Sequence, residues 1–189
     1  MPPFTVLQVC MGNICRSPMA ERLLVAAAAG DDELFVHSAG TGGWHEGEPM
    51  DPGAAKQIRA RGADLAGFRA RKLRGDHIDA SDLILTATAE QADFVVSLRP
   101  DAASRTFVLG EFGRLLASID VEELPRGPVY DRGVALVEAV ERARGGKPPE
   151  AGDDLGDPWG QSDRVFARIA DEIEATVKPL AAALFGART

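Results

Sequence analysis

Cysteine is scarce in this chain: Cys10 and Cys15 are the only two among 189 residues. Two are too few for a disulfide scaffold, and without a second pair they lack the ligand set of a structural zinc site. If they matter, they matter as reactive thiols. Long hydrophobic runs are missing as well, and the apolar stretches fall far short of the ~20 residues that span a bilayer, which argues against a transmembrane protein. Positive charge is outnumbered, 21 Lys and Arg against 29 Asp and Glu, for a net charge of −8. A general nucleic-acid or anionic-membrane binder usually has a basic surface, so that class is disfavoured, although a small positive pocket is not. The amino terminus, MPPFTVLQVC, has neither a basic stretch ahead of an apolar one nor a small-residue cleavage site. The cytoplasm is therefore the expected location.

What is present fits an ordinary soluble globular protein, 45% hydrophobic and 26% charged. The length favours one domain with an elaboration over two small cores. Phe4 to Val9 is short, β-branched and nearly all apolar, the pattern of a strand buried on both faces. Further strands are expected at Leu34 to Ser38, Asp82 to Thr86 and Thr106 to Leu109, with helical sequence from about Pro52, Ala89 and Glu111. This alternation predicts an α/β fold: a four-stranded parallel sheet between two layers of helices. The last helix is marked by Phe166, Ile169, Ile173, Val177, Leu180 and Leu184 at spacings of three and four, and Pro179 is expected to kink or shorten it. Residues 120–156 read as a surface elaboration, with one helix near Arg132 to Arg144 and a Gly/Pro/acidic stretch after it.

Ligands of open parallel sheets bind beyond the carboxyl ends of the strands, and the run from Cys10 to Pro18 lies at such an end. Gly12 allows close backbone approach, Asn13 suits a left-handed conformation, and Ser17 before Pro18 reads as the N-cap of the following helix. A loop of inward N–H groups capped by a helix N-terminus is a phosphate cradle. The same field favours a thiolate at Cys10. Arg16 can close over the loop and grip two oxygens in a bidentate fork, and Ser17 can donate its hydroxyl to the sulfur.

These residues, Cys-x-Gly-Asn-x-Cys-Arg-Ser from Cys10 to Ser17, resemble the signature of the low-molecular-weight protein tyrosine phosphatases. Six specified positions make a chance match in one chain on the order of one in a million. The resemblance continues at Ser38 to Gly42, at Ala70-Arg71 and at Asp157-Pro158-Trp159. It implies the bacterial type of this family, with Cys10 as nucleophile, Arg16 as transition-state clamp and Asp157 as general acid and base. It also implies a phosphate- and substrate-binding set of Met11, Gly12, Asn13, Ile14, Cys15, Ser17, Trp44, His45 and Trp159, with Ser38 supporting the loop. No metal and no cofactor are required on this reading. The implied substrates are phosphotyrosine proteins, an autophosphorylating tyrosine kinase among the candidates, with phosphate or another oxyanion held by the loop.

Two departures stand out. Phe68 occupies a place where many relatives have histidine, so Asn13 and Ser38 must be positioned by other groups. Trp159-Gly160 replaces a pair of tyrosines, and Tyr130 is the only tyrosine in the chain. The runner-up activity is protein-arginine phosphatase, whose bacterial members have threonine where Ile14 stands; a bulky apolar residue there favours an aromatic phosphomonoester. Arsenate reduction would need further cysteines after Cys15. A non-catalytic phosphate-binding module has no need of Cys10, Arg16, Ser17 and Asp157 together.

Overall fold

The computed structural model describes residues 1–186. Four parallel strands, β1 (Phe4–Cys10), β2 (Leu34–Gly40), β3 (Leu83–Thr86) and β4 (Thr106–Val108), form one sheet in the order β2-β1-β3-β4. The expected four-stranded parallel α/β sheet is therefore the observed one. The fourth strand stops one residue earlier than expected, because Leu109 already opens the helix that follows.

Among the described residues seven α-helices connect and cover the strands: α1 (Arg16–Ala27), α2 (Pro52–Ala60), α3 (Gly75–Asp79), α4 (Ala89–Leu98), α5 (Leu109–Leu116), α6 (Val129–Arg144) and α7 (Asp163–Phe185). Alternation along the buried strands divides the apolar residues between two faces. Phe4, Val6, Leu83, Leu85 and Phe107 belong to the large cluster shared with α1, α2, α5, α6 and α7. Leu7, Val9 and Ile84 belong to a smaller one with Ile78 of α3 and Val95 of α4. All six stripe residues of α7 are buried. The helix runs on through Pro179 to Phe185, so proline does not shorten it; the packed stripe outweighs the one hydrogen bond a proline removes.

Residues 120–156 are less superficial than their composition suggests. Val129, Leu136, Val137 and Val140 of α6 are buried in the large cluster, and a Cβ at Gly133 would stand 2.5 Å from the Phe4 ring. The stripe is diluted by Gly133 and Ala135, which hides the helix's inner face from a hydrophobicity reading. No helix among the described residues is long and apolar enough to cross a membrane.

Because β1 lies between β2 and β3, the chain leaves it in one direction through α1 and later returns to its other side. This reversal opens the crevice at the carboxyl end of β1, where Cys10 is the last strand residue.

Candidate active site

From Cys10 the chain turns through residues 11–15 and enters α1 at Arg16. Asn13 has φ 55°, the left-handed conformation that asparagine tolerates, and its backbone N–H donates to Cys10 Sγ at 3.3 Å. Ser17 is not the N-cap. Cys15 holds that position and supplies no side-chain bond, so the first N–H groups of α1 carry no side-chain acceptor. Ser17 lies inside the first turn with its hydroxyl 2.9 Å from Cys10 Sγ. Gly40, at the end of β2, lets the loop pass close by: a Cβ there would stand 2.6 Å from the Met11 carbonyl oxygen.

Directed hydrogen bonds hold this loop from behind. The Arg71 N–H donates to Asn13 Oδ1 at 2.9 Å, which turns the Asn13 amide hydrogens toward two serines. Asn13 Nδ2 donates to Ser17 Oγ at 2.8 Å and to Ser38 Oγ at 3.0 Å. Ser38, with its oxygen receiving, sends its own proton to Glu21 Oε1 at 3.0 Å. Ser17 is left with its proton for the Cys10 sulfur. Every member from Cys10 to Glu21 is buried, so each misdirected proton would leave an unpaired polar group. Glu21 Oε2 accepts from Arg22 Nε at 2.6 Å, and the Arg22 guanidinium lies 5.8 Å from the Phe68 ring. Where Phe68 offers no hydrogen bond, Glu21 and the Arg71 backbone serve instead.

Arg16 is buried, and its Nη1 donates to the Leu155 carbonyl at 2.9 Å. Nη2 lies 3.9 Å from Asp157 Oδ2. The Leu155 N–H in turn donates to the Ala87 carbonyl, which ties the segment carrying Asp157 to the end of β3. Among the neighbouring acids, Asp153 makes a two-point pair with Arg114, at 3.1 and 2.8 Å, which holds its carboxyl below the usual range. Asp154 accepts the Ala89 N–H at 2.8 Å. Asp157 is the one of the three that faces the cavity, half exposed, its Oδ1 accepting the Trp159 N–H at 3.0 Å.

That cavity, of about 170 Å³, is lined by Cys10, Met11, Gly12, Ile14, Cys15 and Arg16 together with Trp44, His45, Asp157 and Trp159. Trp44 and Trp159 are 70% and 60% exposed, an aromatic pair at the mouth. His45 is steadied by Glu48 at 2.7 Å, and its ring would sit 3.1 Å from a Cβ at Gly12. Of the residues expected at the site, Asn13, Ser17 and Ser38 do not line the cavity; they are buried in the supporting network. The two thiols differ in environment. Burial, followed by the carboxylate of Asp51, pushes the Cys15 thiol far up and keeps it protonated. The Cys10 sulfur instead lies 2.9 Å from the Ser17 hydroxyl and accepts the Asn13 N–H at 3.3 Å.

Two contributors carry no sequence signal that would single them out: Glu21 and the Leu155 carbonyl. A polar helix residue and a backbone oxygen each look ordinary until the fold brings them to the cradle. Among the described residues no group of three or more His, Cys, Asp or Glu side chains is arranged to hold a metal ion.

A cysteine-based anion cradle at the switch point of a parallel sheet, with arginine and aspartate on the same cavity, is a phosphatase site. The model of the low molecular weight phosphotyrosine protein phosphatase family matches residues 5–143, and the chain belongs to that family. Asp157 lies beyond the matched span. A probable low molecular weight protein-tyrosine-phosphatase, EpsP, from Ralstonia nicotianae is 35% identical over 142 residues, 75% of this chain and 90% of its own. The low molecular weight protein-tyrosine-phosphatase YfkJ of Bacillus subtilis is 36% identical over 127 residues, 66% of this chain and 78% of its own. Among solved structures, the YwlE arginine phosphatase from Geobacillus stearothermophilus superposes with a TM-score of 0.68 at 28% identity, covering 95% of this chain and 91% of its own. The protein is a phosphatase enzyme.

Proposed function

We propose that the protein hydrolyses phosphotyrosine in proteins through a phosphocysteine intermediate. The observation that carries this reading is the Cys10 sulfur, held by the Ser17 hydroxyl and the Asn13 N–H, on one cavity with Arg16 and Asp157. The Cys10 thiolate attacks phosphorus in line while the bond to the phenolic oxygen breaks. Asp157 gives its proton to the departing phenolate, leaving tyrosine free and phosphate on sulfur. Asp157, now a carboxylate, takes a proton from the incoming water, and the sulfur leaves as a thiolate that Ser17 stabilises. Backbone N–H groups of the loop and the N-terminus of α1, with the Arg16 fork, neutralise the equatorial oxygens, so the scheme requires no metal. Ile14, Trp44, His45 and Trp159 suit an aromatic ring above the phosphate. On this reading the partners are phosphotyrosine proteins of the cytoplasm, an autophosphorylating tyrosine kinase among them, and the whole chain is one phosphatase domain in which residues 120–156 are an elaboration.

The similarity to an arginine phosphatase keeps phosphoarginine as the competing substrate. Side-by-side kinetics on phosphotyrosine and phosphoarginine peptides, with chelator present, separate the two. Faster turnover of phosphotyrosine, abolished in Cys10→Ser and retained in Cys15→Ser, is expected. A preference for phosphoarginine, or an active Cys10→Ser, overturns the reading.

A further inference from the structure

A second cavity, of about 330 Å³, lies against the first, and Met11 lines both. Thr41 lines it beside Met11, and its remaining wall is α4. Glu90, Asp93, Phe94 and Ser97 stand there at spacings of three and four, so the helix turns them all to one side, where they are exposed. Neither carboxylate has a cationic partner among the described residues. Gln91 lines the same cavity although it is only 5% exposed. Its Oε1 accepts the Thr88 N–H at 3.1 Å, while its Nε2 makes no hydrogen bond with any described residue. An amide whose oxygen is fixed at 3.1 Å from the Thr88 N–H and whose nitrogen opens on the cavity is held ready to donate to an acceptor brought there.

These groups select a particular chemistry. A thioether and an aromatic ring, Met11 at 46% and Phe94 at 39% exposure, make an apolar bed. Two carboxylates at its edge complement a positive charge. A long aliphatic stem ending in a cation, as in lysine or arginine, satisfies both. The Gln91 amide suits a peptide carbonyl. Since Met11 is the shared wall, a peptide whose phosphorylated ring enters the first cavity carries its neighbouring residues over Met11 into the second. We propose that this second cavity is a substrate subsite for a lysine or arginine flanking the phosphorylated residue. The proposal rests on the phosphotyrosine reading above and adds a sequence preference to it.

The test is kcat/KM on matched phosphotyrosine peptides with Arg, Leu or Glu at successive positions on either side, beside a small aryl phosphate that cannot reach the second cavity. At one flanking position the Arg peptide is expected to exceed the Glu peptide by about tenfold, the advantage fading as salt is raised. In the double variant Glu90→Gln, Asp93→Asn that advantage falls to within about twofold, while the aryl phosphate is hydrolysed as before. Equal turnover of Arg and Glu peptides at every position overturns the subsite alone, as does an advantage that survives the double variant. If the unaltered protein fails to hydrolyse the aryl phosphate, the phosphatase reading falls and the subsite with it.

Discussion

Replacing Glu21 by alanine removes the acceptor at the far end of the chain of bonds that begins at the Cys10 sulfur. In the native structure Glu21 receives the Ser38 hydroxyl at 3.0 Å and Arg22 Nε at 2.6 Å. Hydrogen bonds to charged groups contribute about 1.5–3 kcal/mol each. Arg22 keeps the Ala66 carbonyl at 3.1 Å and some access to water, so its loss is the smaller one. Ser38 is 1% exposed and already receives an Asn13 hydrogen, so its proton has no alternative acceptor. Together these give a destabilisation of about 2–4 kcal/mol. For a domain of this size that lowers Tm by roughly 5–15 °C in a thermal melt followed by circular dichroism. Ser38, its proton unpaired, no longer fixes the Asn13 amide, and the Asn13 hydrogen that directs the Ser17 proton to sulfur is held less firmly. A loss of about 1.4 kcal/mol at that contact slows aryl phosphate turnover about tenfold. Glu21→Gln keeps an oxygen for Ser38 and restores most of both quantities. A Glu21→Ala protein that melts and turns over like the unaltered one would refute the network; one that melts early but keeps its kcat/KM would sever the network from the sulfur.

Three further outcomes follow from other contacts. Asp157→Asn slows phenolate release by about 10²–10⁴-fold while leaving competitive inhibition by phosphate within a few fold; Asp153→Asn instead lowers stability by breaking the two-point pair with Arg114. The reverse pattern in kinetics and melts would move the acid to Asp153. His37 is buried against Ser81 at 2.8 Å, and burial, with Arg71 and His77 adding to it, lowers its pKa from 6.5 to about 4. Above pH 6.5 both folded and unfolded states hold it neutral and stability is full; as pH falls the unfolded state takes the proton first, so up to about 3 kcal/mol is lost by pH 4. Urea titrations across that range should show a shallower fall in His37→Phe, and an identical slope would sink this assignment. Gly40→Ala sets a methyl group 2.6 Å from a backbone oxygen of the cradle, and should cost about 1–3 kcal/mol and weaken phosphate inhibition. Unchanged inhibition would mean the loop has room to move aside.

Much of the scaffold was legible because its signals are local. Phe4 to Val9 reads as a two-sided buried strand, and the α7 stripe survives even a proline within it. The loop was legible for the same reason: Cys10 to Ser17 are contiguous, and Asn13 adopts the left-handed turn that asparagine permits. Ser17 misled because a serine before proline is a good N-cap by pattern, whereas its hydroxyl has stronger claims on it from Asn13 and the sulfur. In residues 120–156 the inner face of α6 was hidden from a hydrophobicity reading because its stripe is thinned by glycine and alanine where it packs against Phe4.

By itself the sequence determined the strand-loop-helix unit and the residue types of the cradle, since each depends on neighbours along the chain, and the net negative charge, which is a sum over composition. Only the tertiary structure shows why Asp157 alone of three nearby aspartates faces the cavity. The Asp-Pro-Trp resemblance singles out Asp157, but what occupies its neighbours Asp153 and Asp154 is Arg114 and the N-terminus of α4, brought from dozens of residues away. The tertiary structure likewise decided that Glu21 and Arg71 replace what Phe68 cannot give, and that Met11 joins two cavities. Partners of a buried polar group are set by whatever the fold places within about 3 Å of it, and that distance has no counterpart in sequence separation.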